Sequence, residues 1–355
     1  MHVLVTGGAG MLGGDLVRRL ADDGHDVHSI DVRPAVDLCP AGPPGQAGGV
    51  GYRHTVGDIR DTAFLTRAAT GMDAVVHCAS ALPSYPAEQI RSIVVDGTRS
   101  VMRAARSAEV ERVVHVSTTA VYGIPTDMPT AEEHPRLPCD PYSAAKAQAE
   151  EVVEEYRGTG ICVPILRPKT FLGPGRLGLF AMLFEWAEEG RHFPVLGRGD
   201  VRIQMFDTFD LVDAVVTTLH APAATADDTF NLAAAEFATL REDFQAVLDA
   251  AGHGKRVVSL PAKPALITLE LLARTKLSPV YGRLSRKLMD DSYVSIDRAR
   301  ERLGFEPKYS NQDSLLRTYA WWREQKAAGR LGRRSGRTSR DAWRQGALAL
   351  AKRVF

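Results

Sequence analysis

The chain has 355 residues, 45% of them hydrophobic and 25% charged, with a formal net charge of +1. That balance fits a soluble globular protein with room for one large domain and an appended lobe, and it exerts no global pull on nucleic acid or an anionic membrane. No stretch reaches the roughly eighteen apolar residues of a membrane span, and Met1–Val5 enters a strand without a basic-then-apolar leader, so a cytoplasmic protein is expected. The cysteines (Cys39, Cys78, Cys139, Cys162) and the histidines are scattered without metal-ligand spacing. Reduced thiols and no metal site follow from that.

In chain order, short β-branched runs alternate with amphipathic segments. Strands are predicted at His2–Thr6, Asp26–Asp31, Val50–Val56, Ala74–His77, Arg112–Ser117 and Cys162–Arg167. Helices are predicted at Met11–Asp22, Ala63–Ala69, Glu88–Ala108 and Tyr142–Tyr156. Near-continuous apolar runs such as Val3-Leu4-Val5 suit parallel strands covered on both faces. The pattern predicts an α/β fold, a Rossmann-type doubly wound parallel sheet over residues 1–175.

Between Arg33 and Val50 a Pro/Gly/Ala-rich stretch reads as a surface loop. After Pro174 the alternation weakens. Helical stretches at Leu177–Glu189, Leu211–Leu219, Leu240–Ala251, Ala262–Thr275 and Gln312–Gln325, with a few short strands, predict a smaller mixed α/β substrate lobe over 176–325. Some of its elements are expected to return to the Rossmann core. Residues 326–355 form a basic tail in which Asp341 alone opposes nine Lys and Arg residues, read as a solvated segment or as a docking arm.

Thr6-Gly7-Gly8-Ala9-Gly10-Met11-Leu12-Gly13 joins the first strand to the first helix. A dinucleotide pyrophosphate needs backbone N–H donors without Cβ atoms in the way, and a helix N-terminus adds favourable potential. Gly7, Gly10, Met11 and Leu12 are therefore cofactor-binding candidates. Asp31 closes the second strand, where a carboxylate accepts from both ribose hydroxyls and repels a 2′-phosphate; NAD is expected, with Arg33 partly offsetting that repulsion.

Tyr142-Ser143-Ala144-Ala145-Lys146 puts a phenol and an ammonium four residues apart, on one helix face. An unperturbed tyrosine titrates near a pKa of about 10, and a neighbouring cation lowers that value toward the range of a useful base. Ser117-Thr118-Thr119 ends an earlier strand, and the Thr118 hydroxyl is suited to holding a substrate oxygen beside the phenol.

With these residues in view, the chain resembles an extended short-chain dehydrogenase/reductase of the NAD-dependent epimerase/dehydratase family over about residues 1–325. The resemblance is carried by the glycine run, Gly57-Asp58-Ile59, His77-Cys78-Ala79-Ser80, Val116 through Gly123, Tyr142 with Lys146, and Leu166-Arg167-Pro168 before Gly173-Pro174. It implies that Asp58 and Ile59 flank the adenine and that Ala79 and Ser80 lie along the ribose and nicotinamide side. Thr118, Tyr142 and Lys146 match the family's catalytic residues, and Ser117, Thr118, Thr170 and Arg202 are expected at the substrate. A homodimer through Glu88–Ala108 and Tyr142–Tyr156 is expected from the resemblance.

Departures from the family narrow the chemistry. Sugar dehydratases carry Asp-Glu where Thr119 and Ala120 stand, so elimination of water is disfavoured. Val94 and Thr170 replace two asparagines of nucleotide-sugar epimerases. Ile203 aligns with a diphosphate-binding arginine, leaving Arg202 one place early. Lys169, Arg202, Arg283, Arg286 and Lys287 are alternative phosphate contacts or surface charges. The apolar stretch Pro261–Ser278 resembles steroid-dehydrogenase-like relatives, or is lobe core.

The leading expectation is a sugar epimerase, with reversible hydride transfer at a secondary alcohol carbon. The alternative is a one-way dehydrogenase or ketoreductase on a steroid-like or natural-product ring. A non-catalytic dinucleotide sensor is the reading from another class, opposed by the presence of both Tyr142 and Lys146.

Overall fold

The structure, a computed structural model, describes residues 1–34, 52–175, 180–262, 264, 289–331 and 352. The Pro/Gly loop with Cys39, the predicted lobe helix beyond 264, the basic trio Arg283, Arg286 and Lys287, and the tail beyond Leu331 apart from Lys352 lie outside the described residues.

Seven parallel strands form one sheet. In chain order they are β1 (His2–Thr6), β2 (Asp26–Asp31), β3 (Tyr52–Val56), β4 (Ala74–His77), β5 (Arg112–Val116), β6 (Ile165–Pro168) and, after three short strands elsewhere, β10 (Thr229–Leu232). Their spatial order is β10-β6-β5-β4-β1-β2-β3. The chain winds outward from β1 through β2 and β3, then restarts at β4 on the other side. Thr6 is level with Ile30 of β2 and with His77 of β4. The crevice beyond that switch point is where an open α/β sheet holds a ligand.

Strand periodicity decides which helices cover which face. Val3 and Val5 join the core cluster that contains Leu12, Leu16 and Leu20 of α1 (Met11–Asp22). Leu4, between them, joins the opposite cluster. There it packs with residues of α2 (Thr62–Ala69), of a long helix made of α3 (Ala87–Arg91), a π-turn (Ser92–Asp96) and α4 (Gly97–Ser107), and of α5 (Pro141–Glu154). The side chains of a strand alternate between faces, and both faces here are apolar.

Two predicted elements are corrected. The helix expected over Glu88–Ala108 carries a full π-turn, and the Thr98 hydroxyl donates to the Val94 carbonyl at 2.6 Å inside it. The strand expected from Cys162 begins at Ile165. Cys162 bridges Arg112 alone, and Pro164, which has no N–H, interrupts the ladder.

Beyond Gly175 the chain alternates between lobe and sheet. The lobe core joins α6 (Phe180–Glu188), β8 (Phe193–Leu196), α9 (Leu240–Ala251), β11 (Val257–Leu260) and α11 (Asn311–Ala327), around Phe184, Trp186, Phe244, Tyr319 and Trp322. Between these, β7 (Phe171–Leu172) pairs with β9 (Phe206–Asp207), and α7 (Thr208–His220) lays Leu211, Val215 and Leu219 on the α1 side of the sheet. After the single turn α8 (Ala223–Ala226), β10 pairs with β6, and α10 (Asp297–Leu303) adds Ala299 and Leu303 to the same core.

A buried ionic cluster fastens α5 to the sheet. Glu150, 0% exposed, accepts from Arg167 Nε at 3.0 Å and Nη2 at 2.6 Å, from Ser117 Oγ at 2.5 Å and from Arg136 Nη1 at 3.2 Å. The cluster thereby ties the helix to β6, to the end of β5 and to the loop before α5. Removing one member of such a pair leaves the other charge buried and uncompensated, at a cost of about 3–5 kcal/mol. Glu150→Leu is expected to lower stability by that amount in urea unfolding, and Glu150→Leu with Arg167→Met to recover most of it.

Candidate active site

The glycine run executes the turn that its spacing predicts. Gly7 takes a φ of +74°, Gly7 and Gly8 N–H donate to the Ile30 carbonyl at 2.8 and 3.1 Å, and Gly10 N–H donates to the Gly7 carbonyl at 2.9 Å. A Cβ on Gly13 would stand 2.2 Å from the Gly7 oxygen, and one on Gly7 would stand 2.7 Å from the Ala79 nitrogen. A side chain at either position would collide with backbone, of the turn itself or of the segment that follows β4. Asp31 Oδ2 accepts from Ala9 N–H at 3.1 Å, and Oδ1 accepts from Arg33 N–H at 3.0 Å and Nε at 3.3 Å.

One cavity of about 890 Å³ runs from this turn to the lobe. Gly7, Gly10, Met11, Leu12, Asp31 and Arg33 line one end. Asp58, Ile59, Ala79 and Ser80 line it as well. Arg60 beside Asp58, hydrogen-bonded to it, holds the Asp58 carboxyl below the usual range. Further along, Ser117, Thr118, Tyr142, Lys146 and Thr170 reach the same space.

The start of α5 is set by a capping box. Asp140 accepts from Ser143 N–H at 2.8 Å, Ser143 Oγ accepts from Asp140 N–H at 3.1 Å, and Pro141 opens the helix. Tyr142, Lys146 and Glu150 then follow at four-residue intervals along one face. Lys146 is buried and donates to the Val116 carbonyl at 2.9 Å. Burial lowers its pKa to about 8 against the opposing pull of the Glu150 carboxylate. Burial likewise lowers His77 to about 3, so its ring is neutral between the Thr6 hydroxyl at 2.7 Å and the Thr98 hydroxyl at 3.0 Å. The Cys78 thiol is pushed up to about 12 by burial, which leaves it protonated.

Two expected substrate residues have other partners. The Ser117 hydroxyl, although at the cavity wall, donates to Glu150. Arg202 donates to Asp291 Oδ2 at 2.8 Å and to the Tyr293 hydroxyl at 2.8 Å, and its guanidinium lies 4.6 Å from the Tyr293 ring centre. Its neighbours Ile203, Gln204 and Met205 line the cavity and Arg202 does not. Thr118 accepts from Ala120 N–H at 3.2 Å and so caps the short turn Thr119–Tyr122. Lys169 lines the cavity and donates to Ser292 Oγ at 2.7 Å.

Sequence reasoning missed the far wall. Phe180, Met205, Leu240 and Phe244 close the lobe end, and Leu82, Tyr85 and Gln89 close the side before the π-turn. An apolar lobe residue carries no mark that separates wall from core, so no local signal identified them.

A dinucleotide cradle and a Tyr/Lys pair sharing one cavity define a nucleotide-dependent oxidoreductase. The model of the NAD dependent epimerase/dehydratase family matches residues 3–233, and the chain belongs to that family, as an NAD-dependent enzyme of the extended short-chain dehydrogenase type. It is 30% identical over 337 residues to the 3 beta-hydroxysteroid dehydrogenase/Delta 5-->4-isomerase of Mycobacterium tuberculosis, covering 88% of each chain. It is 29% identical over 343 residues to the UDP-glucose 4-epimerase of Mycolicibacterium smegmatis, covering 91% of this chain and 99% of that one. The crystal structure of DesIV, a dTDP-glucose 4,6-dehydratase from Streptomyces venezuelae with NAD bound, superposes with a TM-score of 0.72 at 28% identity, covering 92% of this chain and 98% of that one.

The lowered Lys146 pKa has a consequence for stability. Its folded value, about 8, lies below the ordinary 10.5, so the unfolded chain holds this proton more tightly. The penalty on folding is full below pH 8, shrinks as the pH rises toward 10.5 and vanishes above it. Lys146→Met is expected to unfold at higher urea than the parent at pH 7, with the difference narrowing between pH 8 and pH 10.

Proposed function

We propose that the chain catalyses reversible hydride transfer at a secondary alcohol carbon, with a sugar, nucleotide-linked or otherwise activated, as the substrate and epimerisation as the net reaction. The single observation that carries this reading is the placement of Tyr142, Lys146 and Thr118 on the wall of the cavity that begins at the glycine turn. Glycines 7, 10 and 13, Asp31 and Lys146 are the residues that would hold NAD. When bound, NAD supplies the hydride acceptor.

The chain's own residues do the proton work. Tyr142 takes the hydroxyl proton as the alcohol is oxidised and returns it as the ketone is reduced. Lys146⁺, four residues along the helix, favours the phenolate. The Thr118 hydroxyl donates to the substrate oxygen as negative charge develops there. Thr119 and Ala120, both at the cavity, bring no acid or base for eliminating water, which separates this site from dehydratase chemistry.

A second reading is supported by the far wall. Phe180, Met205, Leu240 and Phe244 suit a less polar ring, and Arg202, which does not itself line the cavity, is engaged with Asp291 and Tyr293. Under that reading the enzyme is a one-way dehydrogenase or ketoreductase. The two diverge in cofactor balance. An epimerase retains NAD through dialysis and shows no net absorbance change at 340 nm, whereas a dehydrogenase forms NADH in proportion to substrate. Under both, Tyr142→Phe is expected to lower hydride transfer at least about 100-fold with NAD affinity nearly unchanged. Full activity in that variant would refute the assignment of the base.

We also propose a homodimer through α4 and α5, which pack side by side. Along α4, Arg103 and Arg106 are exposed and Arg99 partly so; Glu151 in the last turn of α5 and Glu155 at its C-cap are exposed. A two-fold axis between such stripes sets each basic helix against the acidic helix of a second copy. Sedimentation is expected to show a dimer that weakens with added salt. Arg103→Glu with Arg106→Glu is expected to give a monomer, and adding Glu151→Arg with Glu155→Arg to restore the dimer.

A further inference from the structure

The adenosine end of the cavity rests on a histidine that does not line it. His54, on β3, places its two ring nitrogens against two different parts of the cofactor turn. Nε2 lies 2.9 Å from the Arg33 carbonyl and Nδ1 lies 3.0 Å from Ser29 Oγ. A carbonyl only accepts, so Nε2 carries the proton, and in the neutral ring Nδ1 accepts from the Ser29 hydroxyl.

Both partners are structurally committed. Ser29 lies directly beneath the glycine turn, since a Cβ on Gly8 would stand 1.9 Å from Ser29 Oγ. Arg33 is the residue whose N–H and Nε both donate to Asp31 Oδ1. The imidazole therefore braces the back of a loop whose front is the Asp31 carboxylate, itself tied to Ala9 of the glycine turn.

We infer that His54 is a positioning residue for dinucleotide selectivity: it holds the turn from Asp31 to Arg33 against Ser29, so that the Asp31 carboxylate is presented to the adenosine ribose in one orientation. A carboxylate held in place accepts from both ribose hydroxyls and repels a 2′-phosphate. Without the brace, the carboxylate can turn away and Arg33 can leave it, which removes both the attraction for NAD and the discrimination against NADP. The effect passes through Arg33 and Asp31, which line the cavity where His54 does not. The inference rests on NAD as the cofactor and is independent of which alcohol is oxidised.

The test is calorimetric binding of NAD⁺ and NADP⁺ to the full chain, repeated with adenosine 5′-monophosphate and adenosine 2′,5′-bisphosphate to isolate the ribose end. One lost hydrogen bond of about 1 kcal/mol corresponds to roughly a fivefold change in affinity. His54→Ala is expected to weaken NAD⁺ and the monophosphate about fivefold or more. The 2′-phosphorylated ligands should weaken less or tighten, so that the preference for NAD⁺ shrinks. His54→Gln, whose amide N–H reaches toward the Arg33 carbonyl, is expected to restore most of the preference.

Equal weakening of all four ligands would mean that His54 only supports the fold, and unchanged affinities would mean that the brace does nothing; either result overturns the inference. If His54→Ala does not fold, Ser29→Ala removes one of the two bonds and should move the preference in the same direction by a smaller factor. No movement there overturns the inference equally. A chain that binds NAD⁺ with this selectivity yet transfers no hydride would leave the role of His54 intact and remove the proposed activity.

Discussion

The carboxylate of Glu150 is the contact on which the site's geometry depends. It sits eight residues after Tyr142 and four after Lys146, fully buried, and takes hydrogen bonds from a strand arginine, a strand-end serine and a loop arginine. A helix docked by apolar contacts alone can slide or rotate by fractions of an ångström at little cost. Charge-assisted bonds to a planar guanidinium do not permit that freedom. The bonds at one end of α5 and the capping box at the other define where the phenol and the ammonium stand relative to β5 and β6.

The same part of the molecule keeps an ammonium in a place where burial disfavours charge. Lys146 has the Val116 carbonyl as acceptor and is favoured by Glu150. The neighbouring histidines are held neutral by burial, His77 near 3 and His115 well below its ordinary value, so they add no competing positive charge. A lysine near 8 is still mostly protonated at neutral pH, as a partner for a phenolate must be. The fold gives up stability here for a charge that the proposed chemistry uses.

Much of the Rossmann unit was legible because its signals are local. Val3-Leu4-Val5, the glycine run and Tyr142 with Lys146 each encode their own geometry within one strand, one turn or one helix. The bounds of β1, β2 and β4 and of α1 and α9 match the pattern readings. What escaped has a physical reason in each case. The π-turn at Ser92–Asp96 leaves no break in helical periodicity, and the end of the ladder at Pro164 depends on a missing donor within an otherwise strand-like run. Ser117 and Arg202 looked like substrate contacts because their types and positions allow it. Their partners, Glu150 and Asp291, lie 33 and 89 residues away in the chain.

By itself the sequence determined the fold class, the cofactor turn and the placing of a phenol and an ammonium on one helix face, since hydrophobic period, glycine spacing and a four-residue helical interval are properties of contiguous chain. The tertiary structure alone decided which polar groups remain directed at the cavity and which are consumed in holding it. It also decided the lobe wall, and the brace from His54 to Arg33. Those outcomes depend on distances between segments remote in the chain, and a side chain's hydrogen-bonding capacity is assigned to whichever partner the packing brings within reach.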